Sequence, residues 1–515
     1  MDSNRKKIKH NDSVIIVLIA LFAFVELLVV AAIPGSTQFW GDEFASLWPA
    51  VQSTLNGSIS VTMTYDSPGI IFNTLLWFWY HIIPYGDKYL LILPAFFAAL
   101  SIWATGMAVG SRFGGRGGIV ASLLMLINTG YTLLGHTTTG YISYGNELRN
   151  YTLAVFVSAL LLWSYISRMK LPGRESPKQL VTFGLTMALL FYCHYVAAIM
   201  FVGLFAIDAV LFIKRKIGFR VVFAYAIAFI LVLPRFLISD NNALVNKVIS
   251  GQGWFDHVPD IKEIARTAFT LVGGNPLLII LFAGAVFYTF WTYFTRDKSS
   301  MEETSQRFYC LTVALSLPVL FYLVFIVYTV GILGGKSWWD MRYFLLILPW
   351  MIYVITSMLF SLSYKYSLRH RTHIVKTILI IALIAIPIQS FLCLYSCPSA
   401  SKWADWQKES ADYIYNQSDV RDPKVGVTFA ANYALYAPYG WKFYYLEQAG
   451  QREPLNYIEM NSSFDNFIGL DGINKLYVAE GHGGEYWTAD ILSLQFEKIQ
   501  VLEDIHVTVW ERRTG

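Results

Sequence analysis

Two adjacent carboxylates, Asp42 and Glu43, stand directly after a long apolar run, in the segment Trp40-Gly41-Asp42-Glu43-Phe44. A carboxylate so placed can take the proton of a hydroxyl as it attacks, which is the work of a general base. The same loop runs on through Tyr65, Asp66, Ser67, Pro68 and Gly69. Further along, His136 precedes Glu147, Arg149 and Tyr151 at a predicted helix start, and His194 with Tyr195 marks another helix turn. Arg235 ends an apolar run, and Asp340, Arg342 and Tyr343 begin one. Arginine suits a phosphate because its planar fork holds two oxygens at once. A base plus phosphate-holding cations is the equipment for displacing a phosphate with a hydroxyl. Each group also has a plainer reading: the doublet as a helix N-cap or solvated turn, Arg235 as a snorkelling arginine, His194 as a packed interfacial histidine. What joins them is the side of the membrane on which they fall.

That side follows from the elements that must carry them. Of 515 residues, 55% are hydrophobic and 14% charged, against about 25% charged in an ordinary soluble protein. Apolar runs long enough to span a bilayer recur from Val14 to Leu394 and then stop. They predict about eleven transmembrane helices, over 14–33, 89–109, 119–134, 151–166, 181–193, 196–213, 221–238, 276–293, 308–330, 343–360 and 374–394. The first, behind Arg5, Lys6, Lys7 and Lys9, is too long for a signal-peptide core and reads as an uncleaved anchor.

One further run, Gly69 to Ile83, decides the topology. If it dips in and returns, 21 of the 39 Lys and Arg lie on the cytoplasmic side and 8 face outward before Pro398, with the remaining 10 in the tail. If it crosses, most basic clusters move outside, against the positive-inside rule. Its Trp77, Phe78, Trp79 and Tyr80 also suit the headgroup level. It is therefore read as an interfacial or re-entrant helix. The N-terminus is then cytoplasmic, the acidic loops and tail face out, and every candidate group named above lies on the outer side of a cell (plasma or inner) membrane. Glu26 and Asp208 stand apart, inside predicted spans; an ionisable group there is a functional hypothesis by default, but neither shares the outer face.

Residues 1–398 thus form a membrane domain with a first outer loop at 35–88, and 399–515 form an extracytoplasmic α/β domain. In the tail, helical periodicity covers 403–416, strands 425–429 and 475–478, a short helix 491–496, and 505–510 closes the set. Neither an internal repeat nor a zinc-like cysteine pattern occurs. Cys193, Cys310, Cys393 and Cys397 are the only cysteines; the last two, four apart, could bridge on export or remain buried thiols. A net charge of +4, spread in short clusters, argues against a nucleic-acid partner.

The motifs taken together resemble the GT-C membrane glycosyltransferases, in particular the protein O-mannosyltransferase and aminoarabinose transferase group. Trp40 to Glu43 is similar to the family's first-loop acidic motif, which implies Asp42 as catalytic base. Glu147, Leu148, Arg149, Asn150 and Tyr151 resemble its Glu-x-Arg-x-Tyr element; His194-Tyr195 and Arg342-Tyr343, ahead of Pro349, resemble its His-Tyr and Arg-Tyr helix starts. The departure is Asp66-Ser67-Pro68-Gly69, where the family has a basic residue, two prolines and a leucine, so one phosphate contact is missing. Arg149 or Arg342 is placed to substitute.

The resemblance implies inverting transfer of a sugar from a polyprenyl-phosphate donor to an extracytoplasmic glycan, lipid or protein. Asp42, Glu43 and Glu147 would be the catalytic carboxylates, and Arg149, His194, Arg342 and Arg235 would hold the donor phosphate. Tyr65, Asp66, His136, Tyr151, Tyr195 and Tyr343 would line the acceptor or sugar pocket. The scheme needs no cofactor and admits a divalent metal. Two other readings stand beside it: a transporter or flippase of a lipid-linked glycan, which would need polar residues through the spans, and a non-catalytic binding protein on the same fold.

Overall fold

The computed structural model describes residues 10–32, 41–65, 69–83, 86–126, 147–169, 175–213, 217–238, 345–365, 406–430, 441–446, 453–460, 467–480 and 492–513, with positions 8, 39, 262, 284 and 287. The predicted spans at 276–293, 308–330 and 374–394 lie outside these. The chain divides into two compact units. One holds 1–30, 94–241 and 245–396; the other holds 31–93, 242–244 and 397–515, so residues 31–93 group with the tail.

In the first unit, α1 (His10–Ala31) is a long apolar helix. Ile16, Ala20, Ala23 and Leu27 form its one buried ridge, while Val14, Ile15, Leu18, Leu21, Phe22 and Val25 are exposed. A helix that bares apolar side chains around most of its circumference is built for lipid, not water. Two helices, α6 (Ile92–Phe113) and α7 (Gly115–Leu126), follow. They meet through Gly106 and Gly118, since a Cβ on Gly118 would stand 2.6 Å from the Gly106 carbonyl.

Next come α8 (Tyr151–Arg168), α9 (Pro177–Cys193), α10 (Ala197–Ile213) and α11 (Val221–Ile238). Ser176 starts α9 with a reciprocal capping box to Gln179 and Pro at the first turn, four residues before the predicted span. α9 and α11 approach closely enough that a Cβ on Gly184 would lie 2.6 Å from the Ala224 carbonyl. A 3-10 turn (Leu345–Ile347) leads into α12 (Leu348–Lys365). Trp350 Nε1 donates to Ser158 Oγ at 3.0 Å, joining α12 to α8. Among the described residues, three helices, 10–29, 88–113 and 151–168, are long and apolar enough to cross a membrane; those at 70–82, 115–126, 197–213, 221–235 and 345–357 are apolar but shorter.

At the far end of α8, a buried ion pair joins α8 to α10. Arg168 Nη2 donates to Asp208 Oδ1 and Oδ2 at 2.8 and 2.7 Å, with Tyr225 Oη donating to Oδ2 at 2.7 Å and Tyr165 Oη to Oδ1 at 3.3 Å. The guanidinium lies 4.7 Å from the ring centroids of both Tyr165 and Phe183. The buried Asp208 is thus matched by charge and hydrogen bonds, which is how a buried carboxylate is tolerated.

In the second unit, the first loop folds into α2 (Gly41–Ala50), α3 (Leu55–Tyr65), α4 (Ile70–Ile82) and the short α5 (Asp87–Leu90). α4 is the run that decided the topology. At 13 residues it is about 20 Å long, short of the roughly 30 Å hydrocarbon core.

Among the described residues of the tail, the first element is α13 (Trp406–Tyr415). Its sheet has the order β1 (Val425–Ala430), β4 (Lys475–Glu480), β6 (Val507–Arg512), β5 (Phe496–Leu502). The β1–β4 pair is parallel, with Val425 opposite Lys475, and the other two pairings are antiparallel. β2 (Glu459–Met460) and β3 (Phe467–Ile468) form a separate ribbon. The helix expected over 491–496 stops short: Ser493–Gln495 is a turn and Phe496 opens β5.

One polar cluster ties the base of this sheet. Asp419 accepts from Lys475 Nζ at 2.7 Å and from Tyr477 Oη at 2.8 Å. Partial burial pushes the Asp419 carboxyl up, but those two hydrogen bonds and the Lys475 charge outweigh it and hold it below its ordinary range. Burial lowers Lys475, yet the bonds to Asp419 and Tyr477 win and it is pushed up to about 12. A depressed carboxyl stabilises above its unfolded value and loses that as pH falls through the folded one; a raised amine stabilises below its unfolded value and loses that as pH rises. The cluster should therefore protect the β1–β4 pair through the neutral range and fail at both ends. Hydrogen exchange of β1 and β4 is expected to be faster in Asp419→Asn than in wild type at pH 7, with the difference lost once pH has fallen through the depressed folded value and the carboxyl is protonated. A difference that persists there would mean that ionisation of Asp419 contributes nothing.

Candidate active site

Residues 147–151 and 193–195 come together in the first unit. Asn150 is the N-cap of α8, and its Nδ2 donates to the Cys193 carbonyl at 2.5 Å, pinning the start of α8 to the end of α9. Arg149 N donates to the Glu147 carbonyl at 2.7 Å, a tight turn that presents both charged residues just before the helix. His194 ends α9 in an extended conformation, with φ −160° and ψ 114°. Its ring lies 5.9 Å from that of Tyr151 and stacks on Tyr195 at 5.6 Å. Glu147, Arg149, Asn150, Tyr151 and His194 are all buried, and Tyr195 is partly so.

The end of α11 joins the same place. Tyr192 Oη donates to the Leu231 carbonyl at 2.8 Å, two residues before His194 and one turn before the buried Arg235. Pro234 lies within α11 there. A glutamate, two arginines and a histidine are thus buried at one end of α8, α9 and α11, where burial strengthens every charge interaction they make. The Arg168–Asp208 pair sits at the opposite end of the 18-residue α8, about 25 Å away along its axis.

The acidic doublet belongs to the second unit. Asp42 and Glu43 occupy the first turn of α2, where the positive end of the helix dipole favours negative charge. Glu43 is 3% exposed. Trp77 Nε1 donates to the Gln52 carbonyl at 2.7 Å, and Gln52 Nε2 to the Trp48 carbonyl at 3.0 Å, so α4 holds the end of α2. The side chains of Asp42 and Tyr65, and residues Asp66, His136, Arg342 and Tyr343 altogether, lie outside the described residues. Cys193 is a free, buried thiol; Cys310, Cys393 and Cys397 also lie outside. Among the described residues, no three His, Cys, Asp or Glu gather as a metal-ligand set.

Asn150 was missed by the reading of charges, although it stands inside the Glu147-to-Tyr151 motif. Its signal was an amide at a helix N-cap position, where Asn is favoured.

No family model and no curated protein sequence matches the chain. Solved structures do. ArnT from Cupriavidus metallidurans in the apo state matches with a TM-score of 0.59 at 12% identity, over 96% of this chain and 97% of that one. The same protein bound to undecaprenyl phosphate gives 0.55 at 11% identity, over 97% and 98%. The oligosaccharyltransferase of Archaeoglobus fulgidus tethered to an acceptor peptide gives 0.52 at 12% identity, over 98% of this chain and 74% of that one. Both proteins have the GT-C fold, and this chain shares it over nearly its whole length.

Proposed function

From its GT-C fold, we propose that the chain is a glycosyltransferase that moves a sugar from a polyprenyl-phosphate donor to an extracytoplasmic glycan, lipid or protein. The observation that carries this reading is the set of buried Glu147, Arg149, His194 and Arg235 at one end of α8, α9 and α11, on a fold whose match ArnT binds undecaprenyl phosphate. Two arginines and a glutamate gathered at one end of an apolar bundle are the kind of charged set that a lipid phosphate requires.

In this scheme Asp42 accepts the proton of the attacking hydroxyl as the new glycosidic bond forms on the face opposite the leaving group. Glu43 and Glu147 orient acceptor or sugar. The anomeric C–O bond breaks, and the electron pair leaves on the polyprenyl phosphate, held by Arg149, His194, Arg342 and Arg235. Fixed cations aimed at the charge that develops lower the barrier most where water is excluded. No cofactor is needed, and a divalent ion between carboxylates is compatible with the scheme. The N-terminus is assigned to the cytoplasm and the tail to the outer side of the cell membrane.

Purified protein in liposomes, offered a panel of polyprenyl-phosphate sugars, is expected to transfer or hydrolyse at least one. Arg149→Ala should raise KM for that donor by about 10- to 100-fold, the worth of a lost charge-assisted hydrogen bond. A wild type that binds undecaprenyl phosphate but reacts with no donor would favour the non-catalytic reading. One that neither binds nor reacts would sink the assignment.

A further inference from the structure

The helix that bears the acidic pair is gripped by the tail at both flanks of the pair. The backbone N–H of Phe39 donates to Tyr445 Oη at 3.1 Å, across 406 positions of sequence. The Phe39 ring meets Tyr444 edge-on at 5.3 Å, and the Phe44 ring meets Tyr445 edge-on at 5.8 Å. Phe39, Phe44 and Tyr444 are 0% exposed and Tyr445 is 1% exposed. Both tyrosines sit in a single π-helical turn, Lys442–Leu446. Phe39 precedes Asp42 by three residues and Phe44 follows Glu43 directly. One short turn of the tail therefore meets the chain just before and just after the two carboxylates, while Trp77 and Gln52 hold the other end of α2.

A tyrosine that only filled space would need no hydroxyl. This one spends its hydroxyl oxygen on a buried backbone N–H at the approach to α2, a donor that would otherwise go unsatisfied at high cost. Such a bond fixes the start of a helix, and a base displaced by about 1 Å can lose on the order of a hundredfold in rate.

We propose that Tyr445 is a positioning residue for the first-loop carboxylates, so that the tail sets where the general base stands. This rests on the reading of Asp42 as that base. In this role Tyr445 acts through Phe39 and Phe44.

Two variants separate its two contacts. Tyr445→Phe keeps the ring on Phe44 and removes the hydroxyl; Tyr445→Leu removes both. In full-length protein in liposomes, kcat is expected to fall about tenfold in the first and about a hundredfold in the second, with KM for the lipid donor within about twofold of wild type. Hydrogen exchange supplies a readout that needs no activity. Peptides spanning 39–50 should exchange about tenfold faster in Tyr445→Phe, while those of α6 keep their wild-type rate. Wild-type kcat together with wild-type exchange in Tyr445→Phe would overturn the proposal. So would a loss of rate matched by global loosening, including α6, because that is a structural role alone. If wild type transfers from no donor, the reading of Asp42 as base fails, and the exchange of 39–50 still decides whether Tyr445 holds this segment.

Discussion

Asp42→Asn is expected to abolish most sugar transfer, by about 10²- to 10⁴-fold in kcat, the usual worth of a general base. The amide keeps the shape of the side chain and its place in the first turn of α2, but it cannot take a proton from an acceptor hydroxyl. Binding of undecaprenyl phosphate should remain within about twofold of wild type, since the groups proposed to hold it are on other helices. The measurement is initial rate in liposomes at saturating donor, beside equilibrium binding of the lipid phosphate, at matched protein. A variant with wild-type rate would remove Asp42 from the chemistry, leaving Glu43 or Glu147 as the base. Proportional loss of binding and rate would make it a ligand of the donor instead.

The second large effect is on stability, at the opposite end of α8. Asp208→Ala leaves Arg168 buried and uncompensated, its side chain 0% exposed, and breaking such a pair costs about 3–5 kcal/mol. Thermal unfolding of the protein in detergent should register this as a loss of folded material well below the wild-type midpoint. The double change Arg168→Met, Asp208→Leu should recover most of the loss, because two apolar side chains of similar volume remove the stranded charge. Recovery would show the pair to be structural. If the double variant folds at the wild-type midpoint yet transfers no sugar, the pair has a part in the reaction that its place in the bundle does not explain.

Local pattern made much of this architecture readable. The apolar run at 14–33 covers most of α1 but starts four residues later and ends two beyond it, that from Tyr151 opens α8, and those at 196–213 and 221–238 match α10 and α11 to within a residue at each end. The motif halves at 147–151 and 194–195 were read as one site from their common side, and Asn150 with Tyr151 and His194 joins them directly. β1, β4 and β6 followed from β-branched and aromatic runs.

What escaped was contact between distant segments and structure without periodicity. Asp208 stood out as a costly charge, and nothing singled out Arg168 as its partner. Nothing in either run tells which turn of α10 faces α8, so their pairing was not legible. The helices α2 and α3 were hidden inside a polar loop because Gly41, Pro49 and Gly57 interrupt any apolar stripe. β5 shows no alternation because every residue after Phe496 is exposed or only partly buried. The grip of Tyr445 on Phe39 spans most of the chain, and no local rule reaches that far.

That exposed strand has a consequence for how copies of the chain live together. β5 lies at one margin of its sheet, with Ile499 and Val501 bare to solvent. Confinement to a bilayer keeps neighbouring copies aligned and crowded, the condition under which two open margins zip into a continuous ribbon. Here the pairing register slips between Lys498 and Gln500, and Glu497 and Lys498 place opposite charges beside the slip. A kinked, charged margin is a poor template for a second strand. Straightening it, by deleting Ile499 or turning Glu497 and Lys498 into valines, would leave a flat, uncharged margin prone to pair copies into rows in the membrane plane.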